Sequence, residues 1–295
     1  MIDKIITFFL SLLTSFYSIG YTPTPVAKVN PENIPEFTKE QQITVLAYNV
    51  YFGGDGEMSP ENRAPLIVET IRNFAPDSFG AEECTPEWKK LLTEQLPEYT
   101  WVGTPRNLLF GEASPVFYNS EKYEALDSGT FWLSTTPLIP SRGWDGQFNR
   151  VCSYVVLKDK ITGFTYAHFN THFDHRGKIA RLEAVAVVSK MIAKICPGIP
   201  VILSGDLNET EKSEMYSRVV ECGFADTRLE AKKVINGESA TYHGYSDIQN
   251  TPIDFIFVNS TFVKSVELYE TDLTKYNNIY PSDHHPVIAE MTIYN

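Results

Sequence analysis

Short apolar runs that stop at an amide, an acid or an imidazole recur along this chain. They constrain its fold more than any other feature does. The clearest is Val201-Ile202-Leu203-Ser204-Gly205-Asp206-Leu207-Asn208. Its leucine and β-branched residues predict a buried strand that stops at Ser204-Gly205. The glycine then presents Asp206 and Asn208 to a cleft, and period-two alternation sends both side chains the same way. A carboxylate and a carboxamide side by side can orient a water molecule and take its proton. The plainer alternative is an Asp-x-Asn turn whose side chains bond only to their own backbone.

The pattern repeats elsewhere. Residues 43–50 read as a strand with Asn49 near its end, where an unbound amide is costly. Ser59-Pro60 marks a helix start, hydroxyl at the N-cap and proline at N1, and Leu66, Ile67, Ile71 and Phe74 follow on one face. Residues 76–83 read as a second strand ending in two acids, Glu82 and Glu83. Thr85-Pro86 opens another helix, with Trp88, Leu91, Leu92 and Leu96 on one face. This β-α-β-α opening argues for an α/β sandwich. Beyond Tyr99 strands dominate, at 113–118, 151–158, 164–172, 253–259 and 287–293. Asp159-Lys160-Ile161-Thr162-Gly163 makes a hairpin turn. The longest helix covers 177–195, and another covers 211–222 until Gly223 stops it.

Size and charge narrow the class. The chain has 295 residues without a linker, repeat or low-complexity tract, and residues 41–295 read as one domain. Its formal charge of −12 argues against a nonspecific nucleic-acid binder and leaves room only for a local basic groove. Cys84, Cys152, Cys196 and Cys222 lack C-x-x-C spacing and read as buried small apolar residues more than as a disulfide or a zinc site. Residues 1–40 are read apart from the domain. The apolar run at 5–16 is too short for a transmembrane span. It predicts an export or membrane-surface segment, and with it an extracytoplasmic or membrane-associated protein. The alternative is an amphipathic helix striped by Lys4, Thr7, Ser11, Thr14 and Ser18 on a cytoplasmic protein. Residues 22–40, rich in proline, read as a tether, and the domain is expected to be monomeric.

Nine polar residues close or follow the apolar runs: Asn49, Glu83, Asn170, His172, Asp206, Asn208, Asp254, Asp283 and His284. One would carry little weight; nine imply a shared cleft at one edge of stacked sheets. They lie in six segments: Ala47-Tyr48-Asn49-Val50, Pro76-Asp77 to Glu83, Asn170-Thr171-His172-Phe173-Asp174, Ser204-Gly205-Asp206-Leu207-Asn208, Ile253-Asp254-Phe255-Ile256-Phe257 and Ser282-Asp283-His284-His285-Pro286-Val287. In order and spacing these resemble the endonuclease/exonuclease/phosphatase superfamily. That superfamily holds metal-dependent phosphoesterases such as deoxyribonuclease I, abasic-site endonucleases, neutral sphingomyelinases and inositol-polyphosphate 5-phosphatases. Phe131-Trp132-Leu133-Ser134-Thr135-Thr136-Pro137 and Arg150 look like a bacterial branch.

The resemblance implies a deoxyribonuclease I-like, four-layered α/β sandwich of two mostly antiparallel sheets flanked by helices. It implies Mg2+ or Mn2+ held by Asn49, Glu83 and Asp283, since magnesium takes oxygen ligands. Asp206 would orient or deprotonate the attacking water, and Asn208 would hold that water or a phosphate oxygen. His284 would donate to a non-bridging oxygen with Asp254 fixing its tautomer. His172 would do the same from the other side, steadied by Glu112. The chain departs from the family at Glu82, where glutamine is usual. Glu82 either adds charge to the site or lies inside the sandwich as a paired acid.

The reading is a magnesium-dependent phosphoesterase that hydrolyses a phosphodiester or phosphomonoester by in-line attack of an activated water. A small or lipid-like phosphoester is favoured over nucleic acid. Trp132, Arg142, Trp144, Phe148, Arg150 and Tyr245 suit a pocket rim, and the acidic balance does not suit a nuclease. A nuclease of the same superfamily and an inactive binding protein are the alternatives. The second predicts gaps in the constellation, and none is found. His168 reads as a packed core residue and His285 as a surface neighbour of His284.

Overall fold

The computed structural model describes residues 21–33, 36–246 and 251–295. Its layers follow from alternation along β1 (Glu40–Asn49). Ile43, Val45 and Ala47 face one buried cluster, while Leu46 and Tyr48 face another. A strand buried on both faces belongs to the middle of a stack.

One sheet runs in the order β10 (Ala231–Ile235), β12 (Val263–Thr271), β13 (Val287–Tyr294), β1, β2 (Ser78–Glu82), β4 (Val116–Asn119), β3 (Tyr99–Val102). The other runs β5 (Tyr123–Trp132), β6 (Val151–Asp159), β7 (Thr165–His172), β8 (Val201–Asp206), β11 (Asp254–Asn259), β9 (Phe224–Asp226). Parallel pairing is confined to β1 with β2, β7 with β8 and β10 with β12, so both sheets are mostly antiparallel. Helices α1 (Pro60–Phe74) and α2 (Pro86–Gln95) cover the first sheet through Ile67, Ile71, Trp88 and Leu92. Helices α3 (Lys178–Ile195) and α4 (Glu214–Glu221) cover the second through Leu182, Val185, Val188 and Val219. A third cluster, including Val45, Tyr166, Ile202, Ile256 and Val287, lies between the sheets. Three apolar interfaces separate four layers, and each fully buried large side chain contributes about 1.5–3 kcal/mol. The expected sandwich is therefore the observed one.

Helix starts follow local chemistry. Thr85 caps α2 by accepting the Trp88 N–H at 3.3 Å. Ser59 makes no such side-chain bond, so α1 starts on Pro60 alone. Helix α4 begins at Glu214, later than its apolar pattern suggested, because Ser213 accepts the Tyr216 N–H at 3.1 Å and sets the N-cap there.

Several expectations change. Strand β8 does not stop at Ser204-Gly205 but runs on to Asp206. At φ +138° Gly205 remains in the ladder, and a Cβ there would lie 1.8 Å from the Thr171 carbonyl oxygen. The glycine serves close approach of β7, not termination. Strands β5 and β12 were not anticipated. The middle of β5 is exposed and lacks alternation, and β12 carries register shifts.

The described part of the proline-rich segment is not a free tether. Thr24 N–H donates to Glu183 Oε1 at 2.8 Å, Ala27 N–H to Ser189 Oγ at 3.1 Å and Val29 N–H to the Cys222 carbonyl at 2.9 Å. Val29 is buried in the cluster beneath α3 and α4, so the domain takes in residues before 41. The apolar run at 5–16 lies outside the described residues. All four cysteines are free and buried. His285 is also buried, its ring 4.4 Å from that of His243 and edge-on to Tyr280 at 5.0 Å, because the loops carrying these two residues close over it.

Candidate active site

The site lies where the inward face of several strands turns polar. On β1 the row Ile43, Val45, Ala47 continues into Asn49; on β7, Tyr166 is followed by His168, Asn170 and His172. On β8 the row is Ile202, Ser204, Asp206, and on β11 it is Val258, Ile256, Asp254. Register places Asp206 directly between His172 on β7 and Asp254 on β11.

Behind this row the inter-sheet core carries a bonded polar layer. His168 Nδ1 meets Ser78 Oγ at 2.9 Å, and its Nε2 meets Ser204 Oγ at 2.8 Å. Asn170 belongs to this layer and not to the cleft. Its Oδ1 accepts from Ser204 Oγ at 2.8 Å and its Nδ2 donates to the Pro115 carbonyl at 3.1 Å. Glu82 also lies inside the sandwich, fully buried. Burial and the nearby Asp254 charge hold its carboxyl well above the usual range, so it is a neutral acid and adds no charge to the site.

Asp206 Oδ1 accepts the Asn208 backbone N–H at 2.9 Å, and Oδ2 accepts Asn49 Nδ2 at 3.1 Å. Burial, with the Asp254 charge behind it, pushes the Asp206 carboxyl up to about 7. His284 Nδ1 meets Asp254 Oδ2 at 2.9 Å, and its Nε2 lies 3.8 Å from Asp206 Oδ2. Burial alone would lower the His284 pKa, but Asp254, then Asp206 and Asp283, outweigh it and hold it up to about 10. His284 is thus held toward the imidazolium form, and Asp254 orients the ring through Nδ1–H.

Asn208 adopts φ +52° beyond the strand, so it enters the cleft through a left-handed turn and not through alternation. The turn and the cleft position coexist. Asn208 Nδ2 donates to the Phe173 carbonyl at 3.0 Å and meets His172 Nε2 at 2.9 Å, which makes that ring nitrogen an acceptor. Burial, then the Arg150 charge, hold the His172 pKa well below its ordinary value, so the ring is neutral. Its Nδ1 has no partner. Glu112 does not steady it as expected. It pairs instead with Arg106 Nη2 at 2.9 Å, because a carboxylate takes a guanidinium on its own loop over a neutral ring.

Glu83 follows β2 at φ +57°. Its Oε1 lies 3.4 Å from Asn49 Nδ2, and its Oε2 accepts the Phe52 N–H at 3.0 Å. Burial pushes the Asp283 carboxyl up to about 6, with Glu83 adding to the rise against His284 and Arg63. Glu83 and Asp283 are carboxylates of the kind a hard divalent cation takes, while Asn49 faces Glu83 with Nδ2 and gives Oδ1 to the Tyr51 N–H at 3.1 Å, so its amide would turn over to join them. Asp206, Asp254 and His284 also cluster, with donor atoms within 4.8 Å of one another. There the Nδ1 of His284 is held by Asp254, which leaves Nε2 facing Asp206 for acid–base chemistry.

These residues open into a cavity of about 490 Å³. Glu83, Glu112, His172, Asp206, Asn208, Asp283 and His284 line it, together with Phe148, Arg150 and His175. Arg142, Trp144 and Tyr245 do not, and Trp132 works from behind by donating Nε1–H to the Arg106 carbonyl at 2.7 Å. Arg106, Tyr51, Phe52, Tyr242 and Ile253 line the cavity and were not anticipated. Arg106 sits in a loop between strands, where nothing in the sequence separates it from a solvated arginine.

Known proteins share this fold. The profile of the family described as Endonuclease/Exonuclease/phosphatase family matches residues 46–284. A structure of a family member from Bacteroides thetaiotaomicron is 32% identical, with a TM-score of 0.79 over 86% of this chain and 99% of that one. A mannosyl-6-phosphatase from the same organism is 32% identical, with a TM-score of 0.78 over 84% of this chain and 99% of that one. An uncharacterized protein of Acanthamoeba polyphaga mimivirus, L388, is 30% identical over 186 residues, 58% of this chain and 68% of its own length. With two sheets in the same sandwich and the profile spanning most of the domain, the chain belongs to the endonuclease/exonuclease/phosphatase family, hydrolases that act on phosphoester bonds.

Proposed function

We propose that this protein is a divalent-metal-dependent phosphoesterase acting on a small phosphoester of the sugar-phosphate class. The observation that carries this reading is the cavity itself. Its volume of about 490 Å³ suits a small molecule, and the aromatic residues Tyr51, Phe52, Phe148 and Tyr242 in its lining suit a sugar ring. Similarity to a mannosyl-6-phosphatase along nearly that protein's whole length supports the substrate class. A nuclease would call for a basic groove, and the overall charge of −12 does not favour one.

Asp206 would orient water in line with the phosphorus and take its proton, a role that suits a carboxyl poised near 7. His284 would donate from Nε2 to a phosphate oxygen as charge develops, with Asp254 keeping the ring charged and oriented. Asn208 would hold His172 in place. Glu83, Asp283 and Asn49 would hold Mg2+ or Mn2+, which when bound neutralises charge on the phosphoryl group.

A substrate panel with Mg2+ tests the reading. Mannose 6-phosphate or p-nitrophenyl phosphate should turn over roughly two decades faster than plasmid DNA, RNA or sphingomyelin. EDTA should abolish that turnover and Mg2+ or Mn2+ restore it. Preferred cleavage of DNA or RNA, or activity that survives thorough chelation, overturns it.

A further inference from the structure

Among the described residues, the buried arginines are Arg63, Arg150, Arg181, Arg218 and Arg228. Four of them are bonded to the protein. Arg63 donates to the carbonyls of Val50, Tyr51, Gly53, Met58 and Pro281. Arg181 donates to the Asp174 carbonyl and Glu209, Arg218 to the carbonyls of Leu182 and Thr24, and Arg228 to Glu211 and Glu238. Arg150 is 6% exposed, and its Nε is sealed from solvent without a partner. Asp174 Oδ2 lies 3.9 Å from that nitrogen, beyond a hydrogen bond.

Asp174 is also fully used. Its Oδ2 accepts the N–H groups of Gln147 at 2.9 Å and Phe148 at 3.0 Å, and its Oδ1 accepts those of Arg176 at 3.0 Å and Gly177 at 2.8 Å. The other guanidinium of the cavity differs, since Arg106 already holds Glu112. Phe148 fixes both on one wall, its ring 4.6 Å from the Arg106 guanidinium and 5.8 Å from that of Arg150. A buried cation with an unfilled fork of donors is unfavourable until an anion meets it.

The position of Arg150 says where that anion sits. It shares the cavity wall with Glu83, His172 and Asp206, so the anion lies at the reacting centre. On this side His172 Nε2 is an acceptor and Asn208 Nδ2 is already engaged, so neither offers a donor to phosphate. A phosphomonoester has three non-bridging oxygens and up to two charges; a diester has two and one. A guanidinium fork matches a pair of such oxygens, and once His284 Nε2 takes one, only a monoester leaves that pair.

We propose that Arg150 grips the terminal oxygens of a phosphomonoester and so selects monoesters over diesters. This rests on the phosphoesterase reading above. Arg150→Met and Arg150→Lys in the full chain test it with Mg2+ present. The ratio of kcat/KM for p-nitrophenyl phosphate to that for bis(p-nitrophenyl) phosphate should fall roughly 30-fold in the Met variant and roughly tenfold in the Lys variant. Inorganic phosphate should raise the melting temperature of the wild type and not of the Met variant. In phosphate-free buffer the Met variant should melt at or above the wild type, because a buried guanidinium without a hydrogen-bond partner has gone.

Equal losses on the two esters, an undiminished phosphate shift, or a Met variant that melts lower without phosphate each overturn the proposal. A wild type that turns over neither ester overturns the phosphoesterase reading instead, and the phosphate-dependent melting shift then decides Arg150 separately.

Discussion

Asp254 gives His284 a partner and a charge at once, and the pair should behave as one unit. Asp254→Asn and His284→Ala should each lower turnover by roughly two or more decades, and the double variant should lose about as much as either alone. Additive losses would mean that Asp254 serves the metal or the substrate and not His284. His168 makes a different prediction, about stability. Burial alone lowers its pKa to about 3, so the folded chain resists the proton that the unfolded chain takes near 6.5. Stability is full above pH 6.5 and falls by up to about 1.4 kcal/mol per unit below it. Melting of the wild type between pH 7 and 5 should therefore drop further than melting of His168→Asn. Parallel curves would show that His168 is not held neutral. The sequence made both histidines legible as types, one at a strand end and one mid-strand. It could not show that His172 had lost Glu112 to Arg106, because that competition is settled by a loop.

At the scale of elements, Gly205 shows what a sequence pattern conceals. Its place after Ser204 reads as a stop, but the backbone continues and the missing Cβ admits the Thr171 carbonyl. Gly205→Ala should cost about 3 kcal/mol or more, since both the positive φ and the clash with backbone resist it. Urea unfolding reads the loss. A variant as stable as wild type would mean that β7 and β8 can part without penalty. The long helix α3 and strands β1, β7, β8 and β11 were legible because burial on defined faces writes itself into apolar periodicity. Edge strand β5 was not, because its exposed residues place no apolar demand on the chain.

For the whole molecule, the strap of residues 21–33 over α3 and α4 changes the domain boundary. Removing residues 1–40 should lower the melting temperature by roughly 5 °C or more relative to removing residues 1–20, because Val29 leaves its seat and Glu183, Ser189 and the Cys222 carbonyl lose the backbone donors they accept from. Equal melting of the two truncations would show that the strap contributes nothing. A proline-rich stretch carries no periodic signal for such packing, since its partners lie more than a hundred residues away.

By itself the sequence determined an α/β sandwich and the identities of the polar strand-end residues, because alternation and burial are local consequences of residue type; the four-layer order came with the family resemblance. The pairing of Asp254 with His284 was implied by that resemblance. Only the tertiary structure decided which side chains meet. Register across β7, β8 and β11 sets Asp206 between His172 and Asp254, and loop closure sets Arg106 on Glu112. The same closure leaves Arg150 buried in the cavity wall with its donors unfilled, since pairing between distant segments is a property of the folded chain and of no stretch within it.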